Sequence, residues 1–192
     1  MVFNLTKSDC EQLPNLAREA LTIYLDTGKK MIRPREIPPA FKEKYGVFVT
    51  LTKNKSKELR GCIGFPSPIF PLVDAVIEAT ISAAVHDPRF PTVTRQEVNN
   101  LLIEVSVLTP PVLIEIDDPR NYRKKVKIGV DGLIIEKGGN KGLLLPQVPV
   151  EWNWDVEEFL NHCCMKARLP PDAWLLKETN IYKFSCISVK EI

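Results

Sequence analysis

The hexamer Leu59-Arg60-Gly61-Cys62-Ile63-Gly64 packs a thiol, a guanidinium and two glycines into one short run. In an extended strand successive side chains alternate. Arg60, Cys62 and Gly64 then project from one face, and Leu59, Gly61, Ile63 and Phe65 from the other. Arg60 and Cys62 stand about 7 Å apart at their Cα atoms in such a strand. A guanidinium beside a thiol favours the thiolate, which is the nucleophilic form. Glycine inside a strand is costly unless a backbone or a ligand comes close, so Gly61 and Gly64 are candidate binding positions. Glu104, flanked by Ile103 and Val105, is a carboxylate that needs a partner if buried, and Arg60 is the obvious one. Cys62, Arg60 and Glu104 form the candidate catalytic group. Arg60 would lower the pKa of the thiol and Glu104 would raise it, so the residues fix a location and leave the net reactivity open. The competing reading is a bulged strand with a core cysteine and a structural Arg60–Glu104 pair.

His86 and Asp87 follow an apolar helix and are placed to reach a cleft, although a histidine there also suits a helix C-terminus. His162-Cys163-Cys164 does not read as a metal site, because adjacent helical positions diverge by about 100°. Cys163 falls on an apolar stripe and reads as core. No zinc-protease helix, P-loop, dinucleotide fingerprint or hydrolase elbow is present, so no metal is expected and the cofactor stays unknown. Trp152 and Trp154 flank a helix start and read as packing anchors.

The elements that must position these residues follow from local signals. Thr6-x-x-Asp9 opens a helix that Gly28 ends, and Pro14 either kinks it or marks the start of its packed part. Residues 46–51 and 59–65 read as a hairpin, followed by a helix over 72–85 that is apolar on most sides. Asp74, Glu78 and Ser82 make its one narrow polar stripe. Thr94-x-x-Glu97 opens a short helix, and 102–108 is a strand. The second half repeats the order: strands at 132–135 and 141–145, a helix from about 155, a short turn near Pro170, and a strand over 182–189. The expected fold is α+β, with two strand-strand-helix-short helix-strand repeats sharing one curved sheet and helices packed against it. Residues 1–192 are expected to form a single domain with two lobes.

The bulk numbers suit a folded domain, with 44% apolar and 26% charged residues in a 192-residue chain. A formal net charge of +2 argues against tight, sequence-independent duplex binding. The N-terminal nine residues lack a signal-peptide pattern, and no apolar run is long enough for a membrane span. Five cysteines without a C-x-x-C fit a reducing cytoplasm.

The hexamer resembles the signature of the AMMECR-type domain, named after a human chromosomal region linked to Alport syndrome, midface hypoplasia and elliptocytosis. Gly46-Val47-Phe48-Val49, Asp87-Pro88-Arg89-Phe90-Pro91, Ile103-Glu104-Val105-Ser106-Val107 and Gly142-Leu143-Leu144-Leu145-Pro146-Gln147-Val148 match as well. The likeness covers about residues 13–184. One departure is Arg168, where such domains usually carry glycine. The resemblance implies a barrel-like sheet built from two similar halves, with the hexamer near a cleft between lobes. It adds Arg89 and Gln147 to Gly61, Gly64, His86 and Asp87 as candidate binding residues. It implies no reaction. Radical-SAM and Memo-like proteins are fused to or encoded beside members of the family, which makes them candidate pathway partners. Two functions stay open: a catalytic or ligand-binding cleft around the hexamer for a small molecule or nucleotide, and a non-catalytic module for a modified nucleotide, RNA or protein.

Overall fold

The computed structural model describes Asn4–Glu191; residues 1–3, part of the segment read against a signal peptide, and Ile192 lie outside the described residues. In chain order the elements are helix α1 (Lys7–Thr27), strands β1 (Gly46–Lys53) and β2 (Leu59–Phe65), and helix α2 (Leu72–Val85). Strands β3 (Leu101–Leu108) and β4 (Val112–Leu113) and the single turn α3 (Tyr122–Lys125) follow. Then come strands β5 (Gly132–Lys137) and β6 (Asn140–Leu144), helices α4 (Gln147–Glu151) and α5 (Val156–Lys166), and strands β7 (Asn180–Phe184) and β8 (Cys186–Lys190). Short 3-10 segments occupy Arg95–Asn100 and Pro171–Leu175. The chain forms two compact units, one running to Pro110 and resuming at Ile187, the other spanning Pro111–Cys186.

In the first unit the strand order is β2-β1-β3-β8, antiparallel where β1 meets β2 and β3. Val47, Val49 and Leu51 of β1 and Ile103, Val105 and Val107 of β3 point into one apolar core, shared with Leu13, Ala17 and Leu21 of α1 and with most of α2. Helix α1 opens where the capping box predicts, with Thr6 and Asp9 exchanging bonds, and closes on Gly28 in the left-handed region at φ 68°. Pro14 sits inside the helix on its buried face, so the helix starts at Lys7 and runs through the proline. Two carboxylates of the polar stripe of α2 are paired by the irregular segment between α1 and β1: Arg33 pairs with Asp74, and Lys30 with Glu78. That explains why a helix this apolar keeps two carboxylates.

The second unit orders its strands β4-β7-β5-β6. Leu133 and Ile135 of β5 pack with Phe159, Leu160 and Cys163 of α5 and with Trp174. The fold is α+β, as read from the sequence, but the expected single shared sheet is not found, because the strands form two four-stranded sheets. The predicted last strand is also two. Its run breaks at Ser185, and β7 pairs with β5 while β8 joins β3. The apolar phase shifts just after it, from Tyr182, Phe184 and Cys186 to Ile187 and Val189, so the sequence carries a sign of the break that a single strand over 182–189 passes over.

Arg168 resolves the end of α5. It lies in the left-handed region at φ 59°, its N–H bonded to the Met165 carbonyl at 2.9 Å and that of Leu169 to Cys164 at 3.0 Å. This is the paired 6→1 and 5→2 closure in which glycine is preferred, since a Cβ there meets the following carbonyl. Arg168→Gly is expected to stabilise the protein by about 1 kcal/mol, read as a higher urea midpoint with an unchanged m-value.

Candidate functional site

The geometry of the hexamer turns on one irregularity. Leu51 pairs with Gly61 and Thr52 with Leu59, so Arg60 is an extra residue in a β-bulge. From Gly61 onward the alternation is as expected: Gly61, Ile63 and Phe65 face the core strand residues, and Cys62 and Gly64 share the opposite face with Thr50 and Phe48. Before the bulge it reverses. Leu59 falls opposite Thr52 and is 38% exposed, while Arg60 is buried at 6%.

Arg60 does not pair with Glu104, contrary to expectation. Its Nε donates to Glu97 Oε1 at 2.8 Å, and its Nη1 to the Pro91 carbonyl at 2.8 Å. Glu97 is the capping-box residue of the Arg95–Asn100 turn, and its other oxygen accepts the Thr94 N–H. The guanidinium, with help from Thr94, holds the Glu97 carboxyl down at about 2. Glu104 pairs instead with Lys190 at 2.9 Å. Arg60 is thus a strut between β2 and the turn that follows α2, and the three-membered catalytic cluster does not form.

A different set converges on Cys62. Thr50 lies opposite it in the ladder, and Glu104 lies opposite Thr50 on the other side, so the three form one row across β2, β1 and β3. The Cys62 N–H and C=O both point away from β1, which makes Thr50–Cys62 a non-hydrogen-bonded pair with close side chains. The Thr50 hydroxyl donates to Cys62 Sγ at 3.4 Å.

β2 is an edge strand, and its outward groups at Cys62 are capped by the segment after α2. Asp87 Oδ2 accepts the Cys62 N–H at 2.8 Å. Arg89 grips the same carboxylate through Nε and Nη2, at 2.9 and 2.7 Å, and Nη2 also donates to the Cys62 carbonyl at 3.2 Å. Asp87 is buried, and Arg89 above all, then the Cys62 N–H, holds its carboxyl well below the usual carboxylate range. The Arg89 side chain stays 53% exposed, and Asp87 foremost, with Cys62 contributing, raises its pKa. Asp87 and Arg89 therefore belong to the Cys62 neighbourhood. A half-exposed guanidinium is presented beside a half-buried thiol.

The remaining candidates divide. His86 is exposed and closes α2, its N–H bonded to the Ser82 carbonyl at 2.8 Å, as the helix-end reading anticipates. A Cβ on Gly61 would stand 2.1 Å from the Ala83 carbonyl oxygen of α2, and one on Gly64 2.1 Å from that of Val47. The close approach that requires both glycines is thus made by the protein's own backbone. Gln147 is in the other unit, in the first turn of α4. Cys163 and Cys164 are fully buried, and burial pushes their thiols up to about 12 and 11, which makes them core residues. A cavity of about 690 Å³ lies elsewhere in the first unit, lined by Cys10, Arg18, Leu102 and Val189 among others.

Sequence reasoning missed Thr50 and Glu97. The capping box marked Glu97, but nothing local ties it to Arg60. Thr50 follows from the hairpin register, which the bulge obscures.

Two α+β units with this hexamer latched at a sheet edge match one family. The AMMECR1 family model fits residues 14–189, and the chain belongs to that family. Protein PH0010 of Pyrococcus horikoshii is 56% identical over 188 residues, covering 96% of this chain and 91% of its own. Protein MJ0810 of Methanocaldococcus jannaschii is 54% identical over 176 residues, covering 92% and 87%. The crystal structure of uncharacterized protein PH0010 superposes with a TM-score of 0.92 at 54% identity, covering 98% of this chain and 94% of that one. Among the described residues no helix is long and apolar enough to cross a membrane.

Proposed function

We propose that the sheet face around Cys62 binds a small anionic molecule. Arg89 anchors the anion, and Thr50 and Cys62 contact the ligand. Glu104, one ladder position beyond Thr50, borders the site, and Arg60 fixes the strand. The supporting observation is the Asp87–Arg89 latch. It commits a buried carboxylate to holding a half-exposed guanidinium at the one backbone position that also carries the thiol. With Nε and Nη2 committed to Asp87 and the Cys62 carbonyl, Nη1 is left to donate to a carboxylate or phosphate oxygen of a ligand.

The experiment is untargeted mass spectrometry of small molecules retained by the purified protein, with iodoacetamide labelling of Cys62 as a second readout. An anionic metabolite is expected on the wild type. Its retention should fall about tenfold, equivalent to roughly 1.4 kcal/mol, in Arg89→Lys, which keeps the charge but loses the fork. The bound metabolite should also slow Cys62 labelling. Retention that is equal in wild type, Arg89→Lys and Cys62→Ser sinks the proposal.

The same reading extends to the fold and the compartment. The two units repeat one design, supported by their matching orders β2-β1-β3 and β6-β5-β7. In each, a glycine on the second hairpin strand lies against a later helix, Gly61 on Ala83 of α2 and Gly142 on Cys163 of α5 and on Ala167 at its end. Five cysteines without a C-x-x-C suit a reducing cytoplasm.

A further inference from the structure

Trp152 and Trp154 do not play the same part, although both read as packing anchors in the sequence. Trp154 packs against the core of its unit, whereas Trp152 is 68% exposed. What places them is the end of α4. Asn153 adopts the left-handed conformation at φ 53°, its N–H bonded to the Val150 carbonyl at 3.2 Å and that of Trp154 to Pro149 at 2.8 Å. This closure turns the chain sharply and folds one indole over the other.

The result is an aromatic column. His162 of α5 stacks on Trp154 with ring centroids 3.8 Å apart and planes 3° apart. Trp152 stacks on Trp154 at 6.2 Å and 20°. Two rings of the column are supported by the fold, and the third, Trp152, ends it in solvent. An indole held flat and exposed in this way is a preformed surface for a further planar group.

The charge around the column selects that group. Glu151-Trp152-Asn153-Trp154-Asp155-Val156-Glu157-Glu158 carries four carboxylates and no basic residue. Arg123 neutralises Glu157 through a 2.7 Å pair. Asp155 and Glu158 exchange capping bonds with backbone N–H groups and have no basic side chain in the segment, and Glu151 is exposed. A local excess of negative charge disfavours the phosphates of a nucleotide and favours a cation. The cation that is planar, stacks on indole and tolerates desolvation is guanidinium.

We propose that the outer face of Trp152 is a docking site for an arginine side chain, presented by a basic segment of a partner protein. The site lies in the other unit from Cys62 and stands independently of the ligand reading given there. Because the chain as a whole carries a formal +2, the attraction comes from the local carboxylates and the ring face, not from the overall field.

The test is fluorescence anisotropy with a fluorescein-labelled hexa-arginine peptide, competed by unlabelled hexalysine and by a 12-nucleotide oligouridylate. Saturable binding of hexa-arginine is expected, with hexalysine at least threefold weaker and oligouridylate weaker still. Trp152→Ala, at an exposed position, should lose at least tenfold in affinity with an unchanged far-ultraviolet circular dichroism spectrum. Trp152→Phe should recover to within about fourfold of wild type, and Glu151→Gln should weaken binding about threefold. Affinity of Trp152→Ala within twofold of wild type overturns the proposal. So does oligouridylate binding tighter than hexa-arginine, which would make the column a base-stacking platform instead.

Discussion

Gly61→Ala will cost this protein about 3 kcal/mol or more of stability, among the largest effects any single methyl can have here. The added Cβ would stand 2.1 Å from the carbonyl oxygen of Ala83, a backbone atom in the last turns of α2. No rotamer change relieves a backbone contact, so the helix or the strand must move. That movement would open the core built by Val49, Leu51, Ala79 and Ile103. For a chain of this size, each kcal/mol shifts the thermal midpoint by roughly 2–4 °C. A drop of about 6–12 °C is expected by circular dichroism. Gly142→Ala should behave alike, because its Cβ would lie 2.4 Å from the Ala167 nitrogen and 2.7 Å from the Cys163 carbonyl oxygen. Gly138→Asn is the control: its φ of 54° is left-handed, but the space around it is open, and asparagine tolerates that conformation. It should change stability by less than about 1 kcal/mol. A Gly61→Ala protein that melts with the wild type would show that α2 and β2 are not held this closely.

What the sequence made legible is what is decided locally. The capping boxes at Thr6 and Thr94 both form, and Gly28 ends α1, because a cap needs only residues three or four apart. Alternation placed Cys62 and Gly64 on one face and Gly61 and Ile63 on the other, since strand period is a backbone property. It failed at Arg60. A bulge depends on the partner strand, and one extra residue sends the guanidinium to Glu97 instead of Glu104. The second sheet was less plain: the run through Ser185 shifts its apolar phase at Cys186-Ile187, but which strands β7 and β8 join is decided by packing. Asp87 was visible only as an acid beyond a helix. That its carboxylate reaches the Cys62 N–H, 25 residues back in the chain, is a fact of packing. Trp152 was misread for a related reason. The left-handed turn at Asn153 leaves it outside the core, and such a conformation is not legible in the residue alone.

Asp87→Ala is expected to cost about 2–4 kcal/mol, because it strips the partner from a buried backbone N–H and from a guanidinium at once. The discount from the cost of a fully buried pair reflects Arg89, whose side chain is half solvated. Asp87→Asn keeps an acceptor for the Cys62 N–H but not the charge, so it should cost less at neutral pH and behave differently in acid. In the folded protein the Asp87 carboxyl titrates well below its ordinary value of 3.8, and Glu97 at about 2 against 4.5. Both are depressed, so their contribution is complete above the unfolded-state values. It is lost as the pH falls, beginning near pH 4–5, where the unfolded chain takes up protons that the folded chain refuses, and ending when the folded groups protonate. Urea midpoints at pH 7, 4 and 2.5 should therefore fall more steeply for wild type than for Asp87→Asn, and the two curves should approach one another in acid. Parallel curves would mean that Asp87 is not held as its four hydrogen bonds require. The same variant separates architecture from site. With the fold retained at pH 7, Arg89 loses its anchor beside Cys62, so anion retention should fall even though neither Arg89 nor Cys62 has been changed.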